Sequence, residues 1–164
     1  MNRKKSYLNT GLALLLICLL TLLDRITKNI VVTDLKGHED IILIRGVLQL
    51  RYIENRGAAF GILQNSRVFF IVITLIVLAA ATAGFIHYIF KADAGRCEWL
   101  LLTVYALLMA GAIGNLIDRA AHGYVVDFIY FSLIDFPVFN VADIYITCGC
   151  ILVLLYVLLS DRKS

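Results

Sequence analysis

Long apolar runs separated by short polar segments dominate this chain. Four of the runs are long enough to cross a membrane, because a hydrocarbon core of roughly 30 Å requires about 20 helical residues. They lie at residues 11–32, 68–90, 99–119 and 141–159. The pattern predicts an α-helical integral membrane protein with four transmembrane helices. We expect the first run to remain attached, because no small-x-small cleavage site follows it.

Apolar residues alternate with other residues, a period of two, in part of the segment between the first two runs. Leu48, Leu50 and Tyr52 stand at alternate positions, as in a strand with one buried face. A turn signal at Arg45-Gly46 precedes them. We therefore expect a small extracytoplasmic sheet within residues 41–64, lying on the membrane surface.

The second long connection, at 120–139, is rich in aromatic residues. Aromatic side chains are enriched where a membrane meets water, so this connection is interpreted as an interfacial segment. For both connections, the alternative that they only cover the ends of helices stays open at this point.

Basic residues crowd the short segments that flank the predicted helices. Cytoplasmic segments beside membrane helices are enriched in Lys and Arg, which predicts cytoplasmic termini and a cytoplasmic loop at 91–96. The residues that support this orientation are Arg3, Lys4, Lys5, Lys91, Arg96, Arg162 and Lys163. The connections at 33–67 and 120–139 then lie on the extracytoplasmic side.

The composition narrows the possible classes of protein. Hydrophobic residues make up 61% of the 164 residues, and charged residues only 16%. Soluble domains carry about 45–50% apolar and about 25% charged residues. A soluble enzyme and a nucleic-acid-binding protein with a broad basic surface are therefore excluded. We expect a single membrane-embedded domain over residues 1–164.

The few polar residues within or beside the predicted helices gather at one end of them. In hydrocarbon, an ionisable group costs several kcal/mol or must find a partner, so each is a functional candidate. The cluster comprises Asp24, Lys28, Asn115, Asp118, Arg119, Asp127, Asn140 and Asp143. All of them fall at the predicted extracytoplasmic end.

Part of this cluster has a structural interpretation. Asp24 and Lys28 are four residues apart on one helical face, which favours a structural ion pair. Asn140 and Asp143 have the spacing of a helix N-cap followed by an acid in the first turn. The small residues at 110–114 favour close packing of helices.

Asp127 is not explained by capping or by helix packing. It has apolar neighbours on both sides, so its carboxylate requires a second polar group nearby. If Asp127 and Asp143 meet, they cannot both ionise easily, and one of them keeps a proton near neutral pH. Such a pair supplies a general base and a general acid in one site.

Other chemistries find little support in the sequence. His38, His87 and His122 lie in separate segments without an HExxH pattern, which argues against a zinc protease. Ser66 and Ser132 lack a G-x-S-x-G elbow. Cysteine thiols in apolar surroundings are poor nucleophiles. We expect no metal and no organic cofactor.

Three motifs follow one another along the chain. They are Asn55-Arg-Gly-Ala-Ala-Phe60; Gly111-Ala-Ile-Gly-Asn-Leu-Ile-Asp-Arg119 followed by Gly123-Tyr-Val-Val-Asp127-Phe; and Phe139-Asn-Val-Ala-Asp143. Together with Asp24 and Lys28, these motifs resemble those of the lipoprotein signal peptidases, the type II signal peptidases of bacteria. The resemblance covers essentially the whole chain.

The resemblance implies an aspartyl endopeptidase with four transmembrane helices and a β-cradle on the outer face of the bacterial cytoplasmic membrane. It implies that Asp127 and Asp143 are the catalytic pair. The residues that it implies bind the substrate and orient the pair are Asn55, Gly57, Asn115, Arg119 and Asn140. The supporting residues are Asp24, Lys28, Asp118 and Ala142.

The resemblance also implies a substrate and an inhibitor. The substrate is a prolipoprotein whose cysteine carries a diacylglyceryl group, and cleavage falls just before that cysteine. The cyclic peptide globomycin is expected in the same site, and membrane lipids surround the chain. One chain holds all the motifs, so a monomer suffices, and no nucleic acid partner is expected.

Two other classes of function remain as alternatives. A small proton- or ion-coupled transporter could use Asp24, Asp127 and Asp143 as a relay, although no acidic residue lies at the middle of a run and no internal repeat is present. A non-enzymatic assembly or chaperone subunit could use the polar cluster to hold its helices together.

Overall fold

The computed structural model describes residues 3–58, 62–91 and 98–161. The helices of this described part are α1 (Arg3–Asp34), α2 (Arg67–Lys91), α3 (Glu98–His122) and α4 (Val141–Asp161). Its strands are β1 (Ile41–Ile44), β2 (Leu48–Asn55) and β3 (Val125–Phe131). A short 3-10 helix, Ser132–Ile134, follows β3.

Some residues used in the sequence analysis lie outside the described part. They are Ala59 and Phe60 of the first motif, and Arg96, Arg162 and Lys163 among the basic residues. The side chains of Arg3, Lys4, Lys5 and Lys91 are not described either. The orientation of the chain in the membrane therefore stays a prediction.

Each of the four described helices contains a stretch that is long and apolar enough to cross a membrane. These stretches are Leu8–Leu35, Arg67–His87, Trp99–His122 and Val141–Leu159. The predicted class, a membrane protein with four helices and a small sheet, is confirmed.

α3 extends past its predicted apolar run and ends where Gly123 adopts a positive φ of 83°, a conformation that glycine tolerates better than other residues.

The helix α3 packs against each of the other three helices. Its Ala106 and Ala110 are fully buried and form a core cluster with Ile17 of α1 and Tyr145 of α4. Because these alanines carry small side chains, the neighbouring helices approach α3 closely. α3 therefore sets the position of the other helices.

Two glycines of α3 allow the closest approaches. A Cβ atom on Gly111 would lie 2.5 Å from the carbonyl oxygen of Ala142 in α4. A Cβ atom on Gly114 would lie 2.5 Å from a carboxylate oxygen of Asp24 in α1. The structure thus bears out the close helix packing predicted from the small residues at 110–114.

The three strands form one antiparallel sheet in the order β1-β2-β3. Gly46 takes a positive φ of 73° in the turn between β1 and β2, as the turn signal predicts. β2 ends at Asn55, and residues 62–65 form turns rather than further strand. Val126 and Phe128 of β3 pack with Val31 at the end of α1, so the sheet is fixed to the helices.

The connection 120–139, which the sequence analysis interpreted as an interfacial segment without a strand, contains the strand β3. Residues 125–131 pair with β2, and their run of β-branched and aromatic side chains after Gly123 is the signal of a strand. Its aromatic residues suggested an interface because strands and interfacial segments favour the same residue types. After β3 the chain returns, and Phe139 and Ile129 exchange backbone hydrogen bonds of 3.0 and 2.8 Å immediately before α4.

The contact of Gly111 with α4 leads to a test of the packing. Gly111→Ala places a methyl group against the Ala142 carbonyl, so we expect a loss of about 1–3 kcal/mol in the free energy of unfolding. Thermal unfolding of the detergent-purified protein measures it. Gly84→Ala is the matched control, because nothing lies within 4 Å of a Cβ at Gly84 in α2. The control is expected to be neutral or stabilised by up to about 1 kcal/mol. Equal losses in both variants would contradict the prediction.

Candidate active site

Six of the predicted site residues line one cavity of about 430 Å³, and the others are buried behind it. β3 contributes Asp127, the first turn of α4 contributes Asp143, and α3 contributes Asn115 and Arg119. Asn55 at the end of β2 and the following Gly57 complete the polar wall. The cavity therefore lies where the sheet meets the ends of α3 and α4.

Asp127 is 2% exposed and is held by two asparagine side chains. The amide of Asn55 donates to one of its carboxylate oxygens at 2.8 Å, and the amide of Asn140 donates to the other at 2.6 Å. Burial and, second to it, the negative charge of Asp143 together raise the pKa of Asp127 to about 7, against the lowering effect of the two asparagine hydrogen bonds. Near neutral pH this carboxyl group is therefore a proton donor as well as an acceptor.

Asp143 is fixed by a reciprocal cap at the start of α4. The backbone N–H of Asp143 donates to the side-chain oxygen of Asn140 at 3.0 Å, and the backbone N–H of Asn140 donates to the Asp143 carboxylate at 3.0 Å. This is the capping box expected from their spacing. The other carboxylate oxygen of Asp143 accepts a hydrogen bond of 2.8 Å from the Asn115 amide. A carboxylate at a helix N-terminus is stabilised as an anion by the helix dipole.

Asn140 connects the two carboxylates. It is fully buried, its oxygen accepts from the Asp143 backbone, and its NH₂ group donates to Asp127. Because a backbone N–H can only donate, the amide of Asn140 has one possible orientation. The same residue therefore starts α4 and holds Asp127 beside it.

A network of buried charges lies behind the cavity. The ammonium of Lys28 is 1% exposed and contacts Asp24 at 3.1 Å and Asp118 at 3.0 Å. It also donates to the side-chain oxygen of Asn115 at 2.9 Å. This contact turns the NH₂ group of Asn115 toward Asp143, so the ammonium determines the orientation of a residue that lines the cavity.

The two acids of this network also join separate elements. The second oxygen of Asp24 accepts a hydrogen bond of 3.1 Å from the backbone N–H of Ala142, which links α1 to α4. Asp118 accepts one of 3.2 Å from the backbone N–H of Val126, which links α3 to β3. Neither acid lines the cavity; both support the segments that carry Asp127 and Asp143.

Sequence reasoning missed Arg25. Its guanidinium contacts Asp118 at 2.6 Å and Asp24 at 3.3 Å, so the described network holds two cations and two anions. The signal for it was present, because Arg25 follows Asp24 directly within the first apolar run. Its position does not by itself reveal a partner 93 residues away in the chain.

Arg119 is a cation that lines the cavity itself. It donates to the carbonyl of Gly57 at 3.3 Å, and its guanidinium lies 4.7 Å from the centre of the Phe70 ring. Among the described residues, no carboxylate lies within 4 Å of its nitrogens. Arg119 therefore adds a positive charge to the cavity and holds the loop at Gly57.

Gly57 allows that loop to fold tightly. Its N–H donates to the side chain of Asn55 at 2.9 Å, which turns the Asn55 amide toward Asp127. A Cβ atom on Gly57 would lie 2.6 Å from the carbonyl of Ile62. A larger residue would push the loop away from the cavity.

The remaining walls of the cavity are mostly apolar, and sequence reasoning did not identify them. They are Ala58, Val125, Phe136, Pro137, Val138, Phe139, Ile144, Thr147 and Cys148. The last three follow Asp143 along α4, a membrane span. The site thus combines two carboxylates, fixed amide donors and an arginine with an apolar channel, an arrangement suited to acid–base hydrolysis of a peptide with an apolar flank.

The missed residue Arg25 leads to a prediction about stability. Arg25→Gln leaves two buried acids with a single cation, so we expect a loss of about 1.5–3 kcal/mol in the free energy of unfolding. Thermal unfolding in detergent measures the loss. Arg45→Gln, in the exposed β1–β2 turn, is the matched control and should be close to neutral. Equal stabilities of the two variants would contradict a role for Arg25 in the network.

Comparisons with known proteins identify the family. Residues 16–159 match the family model of signal peptidase (SPase) II. The chain is 43% identical to the lipoprotein signal peptidase of Streptococcus thermophilus over 87% of this chain and 89% of that relative. It is 41% identical to the one of Symbiobacterium thermophilum over 93% of this chain and 98% of that relative.

A solved structure agrees with these relatives. The structure of a bacterial membrane enzyme, obtained by the in meso method at 2.3 Å resolution, superposes with a TM-score of 0.81 at 35% identity. The superposition covers 94% of this chain and 92% of that one. Fold, motifs and relatives therefore agree, and the chain belongs to the signal peptidase II family of membrane proteases.

Proposed function

We propose that this chain is an aspartic endopeptidase that removes signal peptides from diacylglyceryl-modified prolipoproteins. One observation carries the proposal: Asp127 and Asp143 lie in one cavity, joined by Asn140 and each held by a further asparagine. Paired carboxylates with fixed donors are the machinery of water-activating proteolysis. The relatives that share the chain's motifs are named lipoprotein signal peptidases, which supports the substrate class.

In this mechanism Asp127 is the protonated partner and Asp143 is the anion. Two features support the assignment: the pKa of Asp127 is raised to about 7, and Asp143 lies at the N-terminus of α4. The Asp143 carboxylate takes a proton from a water molecule between the two carboxyl groups, and that water attacks the scissile carbonyl carbon. Asp127 donates a hydrogen bond to the developing oxyanion. As the C–N bond breaks, a proton from the pair goes to the leaving amine.

The other polar residues hold the substrate and the pair. Asn55, Asn115 and Asn140 donate to the carboxylates, and their geometry supports an orienting role. Arg119 and Gly57 form the part of the wall that faces a substrate backbone. The supporting residues are Asp24, Lys28, Asp118 and Ala142, which fix the elements from behind.

The apolar part of the cavity favours cleavage beside a lipid-modified residue. Ile144, Thr147 and Cys148 continue from Asp143 into a membrane span. A diacylglyceryl group on the cysteine after the scissile bond can remain in hydrocarbon along this wall while the carbonyl reaches the aspartates. This arrangement supports cleavage next to the lipidated cysteine, and we propose that the bond just before the cysteine is the one cleaved.

We propose the bacterial cytoplasmic membrane as the location, with both termini cytoplasmic and the active site on the extracytoplasmic side. The lipid chains of a lipoprotein precursor lie in the outer leaflet, so a site that uses water belongs at that interface. We also propose that globomycin occupies the cavity and that the chain acts as a monomer. No comparison supports the transporter, whose proposed relay residue Asp24 is already bound by Lys28 and Ala142.

The proposed pair leads to a direct test. Asp127→Asn and Asp143→Asn should each lower kcat/KM by about 10²–10⁴-fold, because each removes one of the two proton-transfer groups. The assay follows the shortened product from a lipid-modified prolipoprotein incubated with the detergent-purified protein, with and without globomycin. Asp34→Asn, at the exposed end of α1, is the control and should cleave as the unsubstituted chain does. Full activity of Asp127→Asn would rule out the assignment.

The raised pKa of Asp127 predicts a pH dependence. Because Asp127 must hold a proton, kcat/KM should fall about tenfold per pH unit above the apparent pKa near 7. The hydrogen bond from Asn55 favours the ionised carboxylate, so removing it raises the pKa. The descending limb of the pH–rate profile should therefore move to higher pH in Asn55→Ala. A rate that rises steadily from pH 6 to 9 would contradict the assignment of the proton to Asp127.

A further inference from the structure

A second cavity of about 380 Å³ is lined by residues of β2 and β3 and by the loops around Gln64 and Asp135. It shares one wall with the catalytic cavity, formed by Asn55, Ala58, Asp127 and the segment 136–138. The two cavities therefore meet at Asp127. A polypeptide bound across that carboxylate extends into both of them.

The two cavities differ in chemistry. The catalytic cavity continues along α4 past Ile144, Thr147 and Cys148, within a membrane span. The second cavity has a more mixed lining: besides Ile53 and the shared apolar residues, it is lined by charged and polar side chains of the sheet and its loops. These are Arg51, Glu54, Gln64, Tyr130 and Asp135. The apolar cavity suits the parts of the precursor that stay in the membrane, the signal peptide and the diacylglyceryl chains, whereas the second cavity suits a chain that continues into water.

Two of the charges in the second cavity are neutralised by neighbours. The guanidinium of Arg51 pairs with Asp40 at 2.6 Å and lies 4.4 Å from the centre of the Tyr130 ring. Glu54 pairs with Lys36 at 3.0 Å and with Arg56 at 3.3 Å. The hydrogen bond from Lys36 lowers the pKa of Glu54 to about 2, so this ion pair persists at neutral pH.

Besides Asp127 on the shared wall, the other charged residue that lines the second cavity is Asp135. Its carboxylate accepts a hydrogen bond of 2.6 Å from the Tyr130 hydroxyl, a neutral donor. Within the described ranges, no lysine or arginine nitrogen lies within 4 Å of it. Asp135 is exposed at the mouth of the cavity, and its backbone adopts the left-handed conformation with φ of 50°. Asp135 therefore gives the second cavity a negative charge without a directly paired cation among the described residues.

We propose that the second cavity binds the first residues on the C-terminal side of the scissile bond, and that Asp135 makes it favour a basic side chain there over an acidic one. This inference rests on the proposed peptidase function. The lipidated cysteine occupies the boundary at Asp127, and the residue after it enters the second cavity. Asp135 attracts a positive charge at that position and repels a negative one.

The size of the effect follows from the exposure of Asp135. Exposed ion pairs contribute about 0.2–1 kcal/mol, which corresponds to roughly 1.5- to fivefold in kcat/KM. Asp135 attracts the basic substrate and repels the acidic one. The ratio of their kcat/KM values should therefore lie near the upper end of this range, at about fivefold. Because the contact is open to solvent, salt should reduce it.

The experiment uses three lipid-modified substrates that differ only in the residue after the lipidated cysteine, which is Lys, Gln or Glu. Direct competition between the Lys and Glu substrates measures the ratio of kcat/KM, which should be about fivefold at low ionic strength and smaller at high ionic strength. In Asp135→Asn the ratio should fall to about one. Glu39→Gln removes an exposed charge between α1 and β1 that lines neither described cavity, and should keep the ratio.

Three results would overturn the inference while leaving the peptidase function intact. The Lys and Glu substrates could be cleaved at equal rates, the ratio could persist in Asp135→Asn, or Glu39→Gln could lower it as much as Asp135→Asn does. The last result would mean that the preference comes from the overall negative charge of the protein surface and not from Asp135 in the second cavity. Failure to cleave even the Gln substrate would instead contradict the proposed function and this inference together.

Discussion

The structure depends on one buried ammonium group, that of Lys28. A lysine has three N–H donors, and here they meet three acceptors, on Asp24, Asp118 and Asn115. A buried charge is tolerated only when it is paired and hydrogen bonded in this way. Asp24 in turn holds α4 and Asp118 holds β3, so the ammonium fixes the two segments that carry the aspartates.

Charge and hydrogen bonding are divided between two layers of the site. The ion pairs lie behind the cavity, where Arg25 and Lys28 neutralise two acids, while Arg119 lines the cavity without pairing directly with either aspartate. In front of them, neutral asparagines make the side-chain hydrogen bonds to Asp127 and Asp143. An amide can hold a carboxylate without pairing it with a full positive charge. The proposed pair therefore remains able to exchange a proton while its position stays fixed.

Local patterns in the sequence predicted a large part of this arrangement. Four apolar runs predicted the spans. The spacing of residues predicted the Asp24–Lys28 pair and the Asn140–Asp143 cap, because each is a contact between residues three or four positions apart in one helix or at its start. β3 was missed because its aromatic residues also suit an interface. Arg25 and the walls of the two cavities were missed because their partners lie far away in the chain. Such contacts depend on how distant segments pack together, and local sequence patterns contain no information about that packing.

The shared role of Asn140 has a consequence for biogenesis. The same side chain starts the last helix and holds Asp127, so the two carboxylates come together only when that helix has formed. A chain whose last helix has not yet entered the bilayer lacks the assembled pair. Formation of the last helix and assembly of the carboxylate pair are thereby coupled through one hydrogen-bonded residue.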